Sequence, residues 1–235
     1  MGTFVEIELD GQASPEKLNT WITAGFEAVA DIDRLMSIYR PDSDLSRLNQ
    51  ARPGVWVDVH PHTLKVLKAS HELYRVSDGN FDIRCGRVAG GRMRVPLLLR
   101  STRACKTGRW TFDLGGIAKG YAVDCAVETI KKISKGHRLS GIVNAGGDLR
   151  RWGGPHAPVA VATSTVRTPE TCERLSPAVH VRMPEGKIYT KQKTVSVFSA
   201  RCLWSDALTK IKLLAPPLLA DHCLKKYNAH GMVLA

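Results

Sequence analysis

At 235 residues and 25.8 kDa, with 43% hydrophobic residues, the chain has enough apolar content to bury a substantial core. Its longest apolar stretches, Val95–Leu99 and Leu213–Leu219, fall far short of the ~20 residues that cross a bilayer, which excludes a transmembrane helix. The net charge of +12 invites an anionic partner. However, the basic residues are dispersed, aromatics make up only 6% and no reading module is present, so nucleic acid is excluded as the principal partner.

Met1-Gly2-Thr3 leads straight into Phe4–Leu9, which alternates apolar and acidic residues as a half-buried strand does. No signal-peptide pattern precedes it, so the expectation is a cytoplasmic protein, or a periplasmic or membrane-anchored one whose leader has been trimmed. Ser14-Pro15 opens a helix with Leu18, Ile22, Phe26, Val29, Ile32 and Met36 on its buried face, closing before Arg40-Pro41. A second helix runs from Pro61 to Val76, with Leu64, Leu67, His71 and Tyr74 inward, and stops at Asp78-Gly79-Asn80. His71 there is read as a satisfied core histidine, and His60-Pro61-His62 as a helix-start loop before a metal site. Arg84–Gly108 has no clean period and reads as a surface excursion, with Val95–Leu99 as its candidate strand.

From Trp110 the pattern turns to strand, glycine corner and helix: Trp110–Leu114, Gly115-Gly116, then Ile117–Ser134. Ile142–Asn144 leads into a second glycine corner, Ala145-Gly146-Gly147-Asp148. Strands are expected at Pro158–Ala162, Ala178–Val181, Thr194–Phe198 and Met232–Leu234. Helices are expected over Ala200–Leu214, with Leu203, Ala207, Ile211 and Leu214 inward, and over Pro217–Tyr227. Six scattered cysteines without a Cys-x-x-Cys signal neither zinc nor a disulfide framework.

Three places carry candidate chemistry. Gly115-Gly116 ahead of a helix start, with Lys119 one turn on, suits either a phosphate grip or a tight structural corner. Asp148, after the second glycine pair, either orients a ligand or closes a turn. Asp206, Thr209 and Lys210 share one side of a helix, offering either oxygen ligands for Mg2+ or an Asp206–Lys210 ion pair on a solvated face.

Together these segments resemble the FAD:protein FMN transferases, the ApbE-type flavin transferases. The resemblance runs through Met1–Thr3, Ser37–Asn49, Gly79–Asp82, Asp113–Asp124, Val143–Arg150, Ala162–Ser164, His180 and Val195–Lys210. It implies a single α+β domain spanning residues 1–235, with mixed and antiparallel sheets, packed helices and an FAD cleft between sub-lobes. The activity it implies is Mg2+-dependent transfer of FMN from FAD to a Ser or Thr hydroxyl of a partner flavoprotein, releasing AMP. Hydrolysis of FAD, or FAD binding without catalysis, are the alternatives. It places Met1, Tyr39, Asn80, Phe81, Asp82, Gly115, Gly116, Lys119, Tyr121, His180 and Val181 on FAD. Metal falls to Ala118, Asp206 and Thr209, and at position 210, where the family commonly has Thr, this chain has Lys210. Catalysis is assigned to Asp206 and to His180, the candidate base for the acceptor hydroxyl.

Overall fold

The computed structural model describes residues 2–85, 96–154, 159–165 and 194–234. Strand β1 (Val5–Gly11) alternates as its sequence dictates. Helix α1 (Pro15–Met36) begins at Ser14, whose Oγ accepts the Lys17 N–H, and ends with Ser37 in extended backbone. Its buried face is rotated from the expected one. Trp21 and Gly25 face inward with Val29, Ile32 and Met36, while Phe26 is 41% exposed. Gly25 is the cause: a Cβ there would lie 2.8 Å from the side chains of both Ile7 and Ile130, so β1 and the later helix α4 (Ala118–Ile133) close onto that position.

Helix α2 (Asp44–Gln50) was not anticipated as a helix. Ser43 caps it by accepting the Ser46 N–H at 3.0 Å. Buried Asp44 then ties it to α3 (Pro61–Val76), accepting from His60 N–H and Thr63 Oγ1 at 2.7 Å each. Helix α3 matches its expected bounds and stops at Asp78 and Gly79, both at positive φ. His60 caps it, its Nδ1 accepting the His62 N–H. His71 corrects the expectation of a satisfied core histidine: its buried Nδ1 has no hydrogen-bond partner among the described residues. Burial and the neighbouring Arg75 hold its pKa below the usual histidine value.

Small pairings fill the excursion that follows. Strands β2 (Val57–Asp58), β4 (Leu97–Leu99) and β5 (Arg103–Lys106) form one sheet, and β3 (Arg84–Cys85) pairs with β6 (Thr111–Phe112). The side chain of Asn49 brackets Phe112, donating to its carbonyl at 2.9 Å and accepting its N–H at 2.7 Å. The end of α2 therefore fixes the strand that feeds the Gly115-Gly116 corner.

The main sheet has six strands, ordered β1, β7 (Leu139–Ala145), β8 (Asp148–Trp152), β9 (Val159–Thr165), β10 (Thr194–Ser199) and β11 (His230–Leu234), all antiparallel. Helices α4 and α5 (Cys202–Leu214) pack on this sheet and on each other, α1 packs on α4, and α6 (Pro217–Lys226) packs on α5. Leu213, not the expected Leu214, is buried on α5. The resulting α+β architecture is the expected one. The expected strand at Ala178–Val181 lies outside the described residues. No described helix is long and apolar enough to cross a membrane.

Candidate functional site

Asp113 makes the first corner. Its Oδ1 accepts the Gly115 N–H at 2.8 Å, an Asx turn that swings the chain from β6 into α4. Neither Gly115 nor Gly116 has positive φ, and a Cβ at Gly116 would meet nothing nearer than Lys210 Cε at 3.7 Å and Phe81 Cε2 at 3.8 Å. The fold does not require glycine at 116: a Cβ there would rest in ordinary contact with Phe81 and Lys210, so glycine leaves about a methyl group's room between them.

Four charged side chains converge beside this corner. Fully buried Asp206 on α5 accepts the Gly120 N–H of α4 at 3.0 Å through Oδ2, while its Oδ1 pairs with Lys210 and lies 3.7 Å from Lys119 Nζ. Lys119 Nζ lies 2.7 Å from Asp148 Oδ2 in a close ion pair. Lys210 Nζ also donates to the Asp206 carbonyl at 2.9 Å, an oxygen that accepts from Thr209 Oγ1 as well at 2.7 Å. The ion-pair alternative for Asp206 and Lys210 is thus the arrangement observed, on a buried face instead of the solvated one expected.

Local sequence explains the convergence. Gly146 and Gly147, at φ +62° and +95°, form a two-residue hairpin between β7 and β8. Period-2 alternation then turns Asp148, Arg150 and Trp152 toward the helices. Gly120 lets α4 and α5 touch, since a Cβ there would lie 2.2 Å from the Cys202 carbonyl oxygen and 2.8 Å from Asp206 Cβ.

The ionisation states follow from this geometry. Burial works against the Asp206 carboxylate, but Lys119, Lys210 and the Gly120 N–H outweigh it and hold its pKa below the ordinary value. Asp148 is pushed up to about 6 by burial and then by the charge of Asp206, against the pull of Lys119 and Lys210. Burial opposes the Lys119 charge, yet Asp206 and Asp148 raise its pKa, so it stays an ammonium. Asp113 is raised by burial, partly offset by the Gly115 N–H and Lys119.

The structure brings together Phe81, Gly115, Gly116, Ala118, Lys119, Asp206, Thr209 and Lys210. Other expected site residues are engaged elsewhere. Asn80 Nδ2 donates to Ser77 O, and Asp82 forms a forked pair with Arg84 at 2.6 and 2.8 Å. The Tyr121 hydroxyl bonds His62 Nδ1 at 2.7 Å, and Tyr39 is 68% exposed on the loop after α1. Met1, His180 and Val181 lie outside the described residues. Sequence reasoning left Asp148 undecided and gave Asp113 no role. The usable signals were Asp two residues before a glycine, and Asp, Arg and Trp at alternate positions of β8.

The residues around Asp206 do not fit Mg2+. The ion requires near-octahedral oxygen ligation by available carboxylates. Here Asp206 Oδ1 pairs with Lys210, Asp148 Oδ2 pairs with Lys119, and two ammoniums already balance two carboxylates. No group of three or more metal-ligating His, Cys, Asp or Glu side chains occurs among the described residues.

Comparison with known proteins places this geometry in context. The model of the ApbE family matches residues 1–91 and 93–190. A curated relative from Haemophilus influenzae, FAD:protein FMN transferase, is 25% identical over 187 residues, covering 65% of this chain and 52% of the relative. The chain thus spans about half the length of that relative. Among solved structures, the flavin transferase ApbE of Vibrio cholerae superposes with TM-score 0.76 at 19% identity, covering 99% of this chain and 90% of that one. The ApbE protein of Thermotoga maritima gives 0.77 at 23% identity, covering 99% and 91%. At these identities the structural matches establish the fold.

Proposed function

The chain belongs to the ApbE family, and on that premise we propose that it transfers FMN from FAD to a Ser or Thr hydroxyl of a partner flavoprotein, releasing AMP. The observation that carries the reading is the uncrowded corner at Gly116, bordered by Phe81 and Lys210, with Lys119 Nζ 3.4 Å from the Gly115 carbonyl oxygen. Two ammoniums beside an uncrowded glycine corner at a helix start suit the diphosphate of a dinucleotide.

In this reaction the acceptor oxygen attacks the FMN-side phosphorus, the bond to the bridging oxygen breaks, and AMP leaves with that oxygen. Negative charge grows on the leaving phosphate, and Lys119 and Lys210 are the cations we assign to stabilise it. Asp206 and Asp148 hold the two ammoniums in place. The hydroxyl proton is assigned to His180, a neutral base near pH 7, with Met1 and Val181 contributing to FAD binding. Mg2+ has no part in this scheme, because Lys119 and Lys210 carry the charge it would supply.

The test is incubation with FAD and an acceptor flavoprotein bearing a Ser or Thr flavinylation site. A fluorescent FMN band surviving a denaturing gel, with equimolar AMP, is the expected result. FAD bound but intact after long incubation would leave a binding protein only, and AMP released equally without acceptor would make the chain a hydrolase.

A further inference from the structure

Lys210 both pairs with Asp206 and borders the Gly116 corner. It lies four residues after Asp206 on α5, so its side chain folds back along the helix and its ammonium bonds both the carbonyl and the carboxylate of Asp206. Its Cε lies 3.7 Å from the position a Gly116 Cβ would take, so the same side chain also walls the open side of the glycine corner. The Asp206 carboxylate is thus divided between the helix α4 N–H at Gly120 and a cation that belongs to the chain.

We propose that Lys210 is the built-in counter-cation of this nucleotide site, so that FAD binds without a divalent metal ion. The proposal rests on the FAD-binding reading above. A tethered ammonium already hydrogen-bonded to its carboxylate needs no recruitment from solution, and it occupies the oxygens a metal would use. Both carboxylates of the cluster are already matched by Lys119 and Lys210, so a divalent ion finds none unpaired and has to displace an ammonium to bind. Removing the ammonium frees Asp206, and a side chain as small as Thr, with its own hydroxyl oxygen, then leaves room for a metal, whereas the apolar bulk of Met does not.

The experiment titrates FAD into the full chain with EDTA and with millimolar Mg2+, for the wild type, Lys210→Thr and Lys210→Met. Wild-type affinity is expected to agree within about twofold between the two conditions. Lys210→Thr is expected to bind about tenfold more weakly in EDTA and to recover with Mg2+, while Lys210→Met stays weak in both. A wild-type affinity that falls about tenfold in EDTA overturns the proposal. Mn2+ titrated alone and followed by its paramagnetic resonance signal gives a reading independent of FAD. The signal of free Mn2+ should persist with wild type and be lost with Lys210→Thr, and stoichiometric uptake by wild type overturns the proposal even if both variants fail to fold. Failure of wild type to bind FAD under any condition counts against the flavin-transfer reading, and the Mn2+ titration still decides the role of Lys210.

Discussion

Helices α4 and α5 cap each other, each offering an aspartate to the other's first turn, and the two aspartates are employed differently. Asp124 of α4 accepts the Cys202 and Leu203 N–H groups at 3.0 Å each, and Arg150 from β8 closes over it at 2.9 Å. Asp206 of α5 gives one oxygen to the Gly120 N–H and the other to lysine ammoniums. Both carboxylates are buried at a helix N-terminus, where the peptide dipoles favour negative charge. In Asp124 both oxygens serve backbone and a guanidinium that sits on the sheet. In Asp206 half of the carboxylate is committed to side chains that also border the open glycine corner. The first arrangement is a joint, and the second is a joint that also positions charge for a ligand.

Substitutions at the two carboxylates and at the contact between them should separate these roles. Asp124→Ala leaves the Cys202 and Leu203 N–H groups buried without their acceptor and leaves Arg150 with Glu128 as its remaining carboxylate, and should destabilise by about 4 kcal/mol in chemical denaturation. A loss under about 1 kcal/mol would show that Asp124 is not the joint described. Gly120→Ala drives a Cβ into the Cys202 carbonyl and should cost about 3 kcal/mol, loosening both caps at once. Asp206→Asn keeps an oxygen for Gly120 but releases the lysines. It should cost about 2 kcal/mol of stability and lower FMN transfer about a hundredfold or more, whereas Asp124→Asn should lower transfer only in proportion to folded protein.

The smallest expected effect lies in pH dependence. Asp148 titrates at about 6 in the folded chain, above the ordinary value of 3.8. Between those values the folded state holds a proton that the unfolded chain has released, so stability falls as pH rises from about 4 to about 6. Asp148→Asn removes that contribution and should flatten the fall by on the order of 2 kcal/mol. Melting temperatures across this range check it, and an unchanged slope would mean that Asp148 is less perturbed than its surroundings dictate.

Much of the scaffold was legible because it rests on local chemistry. Pro61–Val76 is bounded by proline at one end and Asp78-Gly79 at the other, and β1 follows from strict alternation. The glycine corner and the Asp206–Lys210 spacing were equally plain. What sequence could not supply was proximity. Asp124 and Asp206 become caps only because Gly120 lets the two helices touch, which brings together residues 86 apart in the chain. The rotation of α1 was hidden for a similar reason: Gly25 carries no hydrophobic signal, yet Ile7 and Ile130 pack into its missing side chain. The Asp206–Lys210 ion pair was one of two readings of that spacing, set on a solvated face, and only the packing of α5 beneath α4 shows Asp206 to be fully buried.

The central claim is that the Gly116 space exists for a ligand and not for the fold. FAD titrated into wild type and into Gly116→Ala, with melting temperatures recorded alongside, tests it most directly. The account predicts nearly equal stability, because a Cβ there meets nothing within 3.7 Å, together with a loss of FAD affinity of about tenfold or more. Equal FAD binding by the two proteins would contradict it.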